Sequence, residues 1–144
     1  MIFIALGANL PSAWGGPQVT LEEAMRRLQH AGVRILARSR YFDAAPVPPS
    51  SQPRFVNAVI RVETELSPRS LLDLLHQIEA EAGRVRGERN AARPLDLDLL
   101  DYDGRVSPTD PDLPHPRMHL RGFVLLPLAD IEPGWLHPIL GTPI

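Results

Sequence analysis

Residues 94–100 read PLDLDLL, a strict alternation of leucine and aspartate that constrains the chain more than any other stretch of it. Side chains alternate sides in a strand, so Leu95, Leu97 and Leu99 point to one face. Asp96 and Asp98 point to the other, their backbones roughly 6.6 Å apart. The leucines anchor the strand in an apolar layer, and the aspartates are presented from it. Two carboxylates about 7 Å apart repel by roughly 2 kcal/mol at an effective dielectric near 20, so keeping both ionised in a partly buried cleft calls for cations. Hard oxygen ligands suit Mg²⁺ or Mn²⁺. A strand whose aspartates merely keep one face solvated has the same pattern. The residues upstream separate the two readings. Arg84, Arg86, Arg89 and Arg93 lie on a stretch with Gly83 and Gly87 and no apolar periodicity. Such a segment reads as a mobile basic loop able to fork onto phosphate oxygens. Metal and guanidinium together neutralise a triphosphate.

The rest of the composition narrows the class. A chain of 144 residues is expected to form a single domain over 1–144, long enough to bury a core without disulfides or a structural metal. Fifteen basic against seventeen acidic side chains give a formal charge of -2, so the arginine cluster is a local feature and not part of a nucleic-acid-binding surface. Aromatic residues at 6% leave few stacking platforms for bases. The absence of cysteine removes thiolate nucleophiles and Cys-ligated zinc. MIFIALGANL has no charged n-region of a signal peptide, and no apolar run reaches the length of a membrane span. A cytoplasmic enzyme with no nucleic-acid or membrane partner is expected.

Along the chain, IFIAL at 2–6 is a continuous apolar run ending at Gly7, the pattern of a buried central strand that delivers Gly7, Ala8 and Asn9 to a loop. Thr20 with Glu23 fits a capping box for a helix running to about His30 and ended by Gly32. Residues 33–42 alternate as a second strand, followed by the loop DAAPVPPSSQP. Phe55 to Thr64 alternates as a third strand. Ser67 and Pro68 then open a second helix with the apolar stripe Leu71, Leu75, Ile78 and Ala82, and His76 and Glu79 stand at its margin. The fourth strand is Leu95 to Tyr102, and RGFVLLPLADI reads as a short buried helix or extended core segment. The order strand, helix, strand, strand, helix, strand predicts a ferredoxin-like α+β fold, an antiparallel-rich sheet with helices on one face. Under that topology three long loops close over one site beside Asn9 and the Asp pair.

Five segments carry a resemblance: IALGANLPS at 4–12, QPRFVNAVIRVET at 52–64, IEAEAGRVR at 78–86, RPLDLDLLDYDG at 93–104 and LPHPRMHLRGFVLLPLADI at 113–131. Together they resemble the 6-hydroxymethyl-7,8-dihydropterin pyrophosphokinase family of folate biosynthesis. The resemblance implies a ferredoxin-like enzyme that transfers pyrophosphate from ATP to the pterin hydroxymethyl oxygen, releases AMP and uses two Mg²⁺ ions. By the same resemblance, Asp96 and Asp98 hold the metal, and Arg84 and Arg93 are catalytic-loop arginines. Ala44, Pro46, Val47, Phe55, Asn57, Asp96 and Phe123 receive the pterin, the two phenylalanines as a sandwich. His76, Glu79, Arg84, Arg86, Arg93, His115 and Arg121 receive ATP.

Some positions depart from the family's pattern. Asn90, Ala91 and Ala92 replace a familiar Trp-Gly-Pro run, His76 replaces a Gln, Pro116 a Tyr, and AAPV at 44–47 stands for TPPL. A monomer is expected. Two other classes remain open on the residues alone: another Mg²⁺-dependent nucleotidyl or phosphoryl transferase, and a ferredoxin-like nucleic-acid-binding module.

Overall fold

The computed structural model describes residues 1–44, 55–83, 94–108, 111–116, 118 and 122–141. In chain order these form β1 (Ile2–Ala8), α1 (Pro17–His30), β2 (Arg34–Arg38), β3 (Phe42–Ala44), β4 (Phe55–Glu63), α2 (Pro68–Glu81), β5 (Asp96–Tyr102) and α3 (Gly122–Ile131). The apolar run at the N-terminus becomes the central strand, and every residue of β1 is buried. It pairs antiparallel with β4 on one side and with β5 on the other. β2 and β3 both pair antiparallel with the far edge of β4, giving the order β2-β4-β1-β5 with β3 beside β4. Among the described residues the architecture is therefore α+β, an open antiparallel sheet of five strands with three helices. None of these helices is long and apolar enough to cross a membrane.

A strand buried on both faces needs cover on both. On one face Ile2, Ile4, Leu6 and Ala8 pack with Leu95, Leu97 and Leu99 against Leu21, Met25 and Leu28 of α1 and Leu71, Leu75 and Ile78 of α2. On the other, Phe3, Ala5, Val59 and Leu100 meet Val124 and Leu128 of α3 together with Met118 and Trp135. The helices thus occupy both faces, not the single face expected from element order. The apolar run 122–131 resolves into α3 even with Pro127 inside it. A mid-helix proline costs about 3 kcal/mol, which burial of Val124 and Leu128 against the sheet helps to offset.

Several boundaries differ from the sequence expectation. β1 runs on through Gly7 and Ala8, expected in a loop, because they pair with Asn57 and Val56 of β4, which itself ends at Glu63 and not at Thr64. α1 begins one turn earlier than the proposed capping box, at Pro17, whose fixed φ suits the first helical position. Thr20 is instead a buried residue of the first turn whose hydroxyl donates to the Gly16 carbonyl at 2.9 Å. Its supposed partner Glu23 pairs with Arg26 and Arg27. The stretch 33–42 is two strands, because the buried Ser39 hydroxyl accepts the Val59 N–H at 2.9 Å and interrupts the ladder there. β5 starts at Asp96, although Leu95 is already fully buried. The start of α2 is as expected: the Ser67 hydroxyl accepts the Ser70 N–H at 3.1 Å and Pro68 follows it.

A bulge in β5 decides which side chains face the site. Ile4 pairs with Leu99 and Phe3 with Asp101, leaving Leu100 as the extra residue. Leu99 therefore lies in the α1/α2 core while Leu100 enters the α3 core. Asp101 also turns toward the α3 side, where its carboxylate accepts the Trp135 indole N–H at 2.8 Å and the Gly104 N–H at 2.9 Å. The segments 45–54 and 84–93, expected as loops over the site, lie outside the described residues.

Candidate active site

Strand register sets the site. Gly7 pairs with Asn57 of β4 and with Asp96 of β5, so these three residues form one row across the sheet. Paired residues in antiparallel strands share a face, and neighbouring strands lie about 4.8 Å apart. The next row is Val59, Ala5 and Asp98, whose first two members belong to the α3 core. Asp96 and Asp98 accordingly stand on the α3 side, at the end of the sheet where apolar cover stops. Both are half-buried, and the leucines between and beside them are buried on the opposite face, as the alternation predicts.

Asn57 is 6% exposed, and its Nδ2 finds no hydrogen-bond partner among the described residues. A buried amide donor left unpaired is costly. Gly7 makes room for this amide. A Cβ built on Gly7 would come within 2.8 Å of Asn57 Oδ1, closer than real Cβ contacts allow. Gly7 was noted in the sequence only as the end of an apolar run; its place opposite both Asn57 and Asp96 depends on strand pairing and had no sequence signal. Phe55, half-buried, lies two residues from Asn57 on the same face of β4.

The segment after β5 returns to that strand. The His115 backbone N–H donates to the Leu100 carbonyl at 2.9 Å, and its Nε2 stands 3.7 Å from Asp98 Oδ1. His115 is thereby brought beside the Asp pair. Behind β5, α2 presents the half-buried His76 and the buried Glu79. Glu79 Oε2 accepts the Leu97 N–H at 2.9 Å. Of the other residues expected at the site, Ala44 ends β3 and Phe123 lies in the first turn of α3. Arg84, Arg86, Arg93, Arg121, Pro46 and Val47 lie outside the described residues.

Shifted groups are found on and beside a groove of about 630 Å³ between α1 and β2 that includes Glu22, Glu23, Arg26 and Arg38. Hydrogen bonds from Arg26 and then Arg27 hold the Glu23 carboxyl down to about 2. Burial, followed by the bond to Glu22, pushes the Tyr41 hydroxyl up to about 12. These carboxylates are engaged by their own arginines, and no residue of the groove belongs to the Asn57, Gly7 and Asp96 row.

The family model for 7,8-dihydro-6-hydroxymethylpterin-pyrophosphokinase matches residues 3–133. The chain belongs to that family. The 2-amino-4-hydroxy-6-hydroxymethyldihydropteridine pyrophosphokinase of Haemophilus influenzae is 41% identical over 138 residues, 94% of this chain and 84% of the relative. The protein of the same name from Pseudomonas aeruginosa is 41% identical over 133 residues, 92% of this chain and 80% of its own length. The mitochondrial folate synthesis bifunctional protein of Arabidopsis thaliana is 40% identical over 131 residues, which is 90% of this chain but 23% of that protein. The family match thus spans all three strands that build the row.

Proposed function

We propose that this chain transfers pyrophosphate from ATP to the hydroxymethyl oxygen of 6-hydroxymethyl-7,8-dihydropterin, releasing AMP, as a diphosphokinase of folate synthesis. The observation that carries the reading is the row of Asn57, Gly7 and Asp96: a buried unpaired amide donor, a gap beside it and a carboxylate, all on one face. The pterin lies across that row, its heteroatom edge toward Asn57, an amide able to donate and accept in one plane. Phe55 and Phe123 stack on the ring. Ala44, Pro46 and Val47 are assigned to pterin contact by the family resemblance.

Asp96 and Asp98 would hold Mg²⁺, two ions in this reading. The donor set fits: two half-buried carboxylates share one face, and Mg²⁺ takes one or two carboxylates and completes its shell with substrate phosphates and water. Bound there, the metal supplies charge neutralisation on the phosphates and lowers the pKa of the attacking hydroxyl. The protein's own residues orient and neutralise. His115, beside Asp98, is assigned with His76 to the triphosphate, and Arg86 and Arg121 are assigned to the same role by the family resemblance. Arg84 and Arg93 stabilise the charge that develops on the transferring group, an interaction made fully only in the closed site. Glu79, a nucleotide-contacting position by the resemblance, lies behind β5, where it accepts the Leu97 N–H.

The order β2-β4-β1-β5 and the sequence of elements support a ferredoxin-like reading of the fold. A single domain, monomeric and cytoplasmic, with no nucleic-acid or membrane partner, completes the proposal. The test is AMP formation from ATP with and without the pterin. AMP appearing only when pterin and Mg²⁺ are both present is the expected result; AMP formed equally well without pterin overturns the substrate assignment.

A further inference from the structure

β5 is the outer strand of the sheet on the side of the site. Such a strand turns one ladder of N–H and C=O groups to its neighbour and a second ladder outward, ordinarily to water. The Leu97 N–H does not reach water. It donates to Glu79 Oε2 at 2.9 Å, with Leu97 2% and Glu79 1% exposed. The peptide so bonded is the one that joins Asp96 to Leu97, within the stretch of backbone between the two site carboxylates.

Glu79 sits on α2, next to Ile78 and one turn from Leu75, within the layer that packs on the opposite face of the sheet from the aspartates. Burying a carboxylate is unfavourable unless it accepts hydrogen bonds, and an aliphatic side chain at this position would pack without that cost. It would also leave a buried N–H unmatched between Asp96 and Asp98. The bond cannot be a byproduct of a solvated helix margin, because both partners are shut away from solvent.

We infer that Glu79 is a positioning residue: from behind the sheet it pins the Asp96–Leu97 peptide and so sets the separation and direction of the Asp96 and Asp98 carboxylates. The inference rests on the reading of that pair as metal ligands. It assigns Glu79 a task different from the direct nucleotide contact that family resemblance implies. The two tasks predict different responses to substitution. Positioning requires an oxygen at the right reach and does not require charge, so Glu79→Gln preserves it. Glu79→Asp, one methylene shorter, keeps the charge but withdraws the oxygen, and Glu79→Ala removes both.

The experiment uses the full chain, ¹⁵N-labelled, as wild type and these three variants. Exchange of the Leu97 amide is followed by NMR, and Mn²⁺ affinity in the presence of α,β-methylene-ATP is followed by electron paramagnetic resonance. Affinity for the nucleotide without metal is measured beside them. Supporting groups behind metal ligands typically contribute about 10-fold to 100-fold in metal affinity. Glu79→Ala and Glu79→Asp are expected to weaken Mn²⁺ at least about tenfold and to accelerate Leu97 exchange by a similar factor. Glu79→Gln is expected to stay near wild type in both, and metal-free nucleotide affinity to stay constant throughout. Should Glu79→Ala fail to fold, the contrast between Gln and Asp decides. The inference is overturned if Glu79→Asp behaves as wild type while Glu79→Gln fails, or if all variants lose metal-free nucleotide affinity with Leu97 exchange unchanged. If the wild type forms no AMP from ATP and pterin while the Leu97 and Mn²⁺ results are as expected, the reaction assignment falls and the positioning role stands.

Discussion

The two faces of the sheet divide the work of the molecule. Toward α1 and α2 the cover is apolar from end to end of β1 and β5, with Ile2, Ile4, Leu6, Leu95, Leu97 and Leu99 all in one core. Toward α3 the apolar layer covers Phe3, Ala5, Val59 and Leu100 and then gives way, at the Gly7 end, to Asn57 and Asp96. The same strands thus supply apolar packing through one side-chain parity and, under the proposed function, chemistry through the other. Adjacent residues, Leu97 and Asp98, belong to different tasks. Glu79 is the exception that crosses the boundary, reaching from the packed face to the backbone of the reactive one.

Substitutions on neighbouring positions can break this division or sharpen it. Leu97→Ala should have the largest effect on folding, a loss of about 2–5 kcal/mol for a buried leucine, read as a lowered denaturation midpoint. Asp98→Asn, one residue away, should leave that midpoint within about 0.5 kcal/mol of wild type. It should nevertheless cut turnover at least about 100-fold, or about 2.7 kcal/mol of barrier. Near-normal turnover of Asp98→Asn at saturating Mg²⁺ would remove the chemical task from this face.

Gly7→Ala tests the row itself. The added Cβ drives against Asn57 Oδ1, so pterin affinity should fall by about tenfold, equivalent to about 1.4 kcal/mol, while ATP affinity holds. Fluorescence titration with a pterin analogue measures it, and an unchanged affinity would show that the Asn57 amide is not the pterin contact.

The smallest effect is expected at the rim of the α3 face. Asp130 accepts the Arg40 backbone N–H at 2.8 Å and its guanidinium Nε at 3.1 Å, tying α3 to the connection between β2 and β3. That backbone bond, and then the guanidinium, hold its carboxyl below the usual range. A pKa lowered by folding contributes stability above the unfolded value, near roughly 3.9 for aspartate, and loses it as pH falls through the lower folded value. Asp130→Asn should therefore lower Tm slightly at neutral pH, with the gap from wild type closing below about pH 4. Activity should not change. A gap that widens in acid would contradict the sign of the shift.

Much of this arrangement is legible without the fold. The unbroken apolar run of β1, the Ser67 and Pro68 opening of α2 and the parity of Leu95 to Leu99 follow from side-chain chemistry and backbone period, because each is a property of one element. The presentation of Asp96 and Asp98 on a common face is of the same kind. What lay between elements was not legible. Pairing of Gly7 with Asn57 and Asp96 is a matter of register between strands distant in the chain, and α3 crossed to the other face because β1 is apolar on both. Ser39 broke a strand by bonding Val59, a residue of another strand. Glu79 stood in the sequence at a helix margin and, by resemblance, among nucleotide contacts; only packing of α2 behind β5 buries it against the Leu97 N–H. Periodicity determines which residues of an element share a face; only tertiary packing decides what that face meets, since register and burial are set by contacts whose partners the local pattern does not contain.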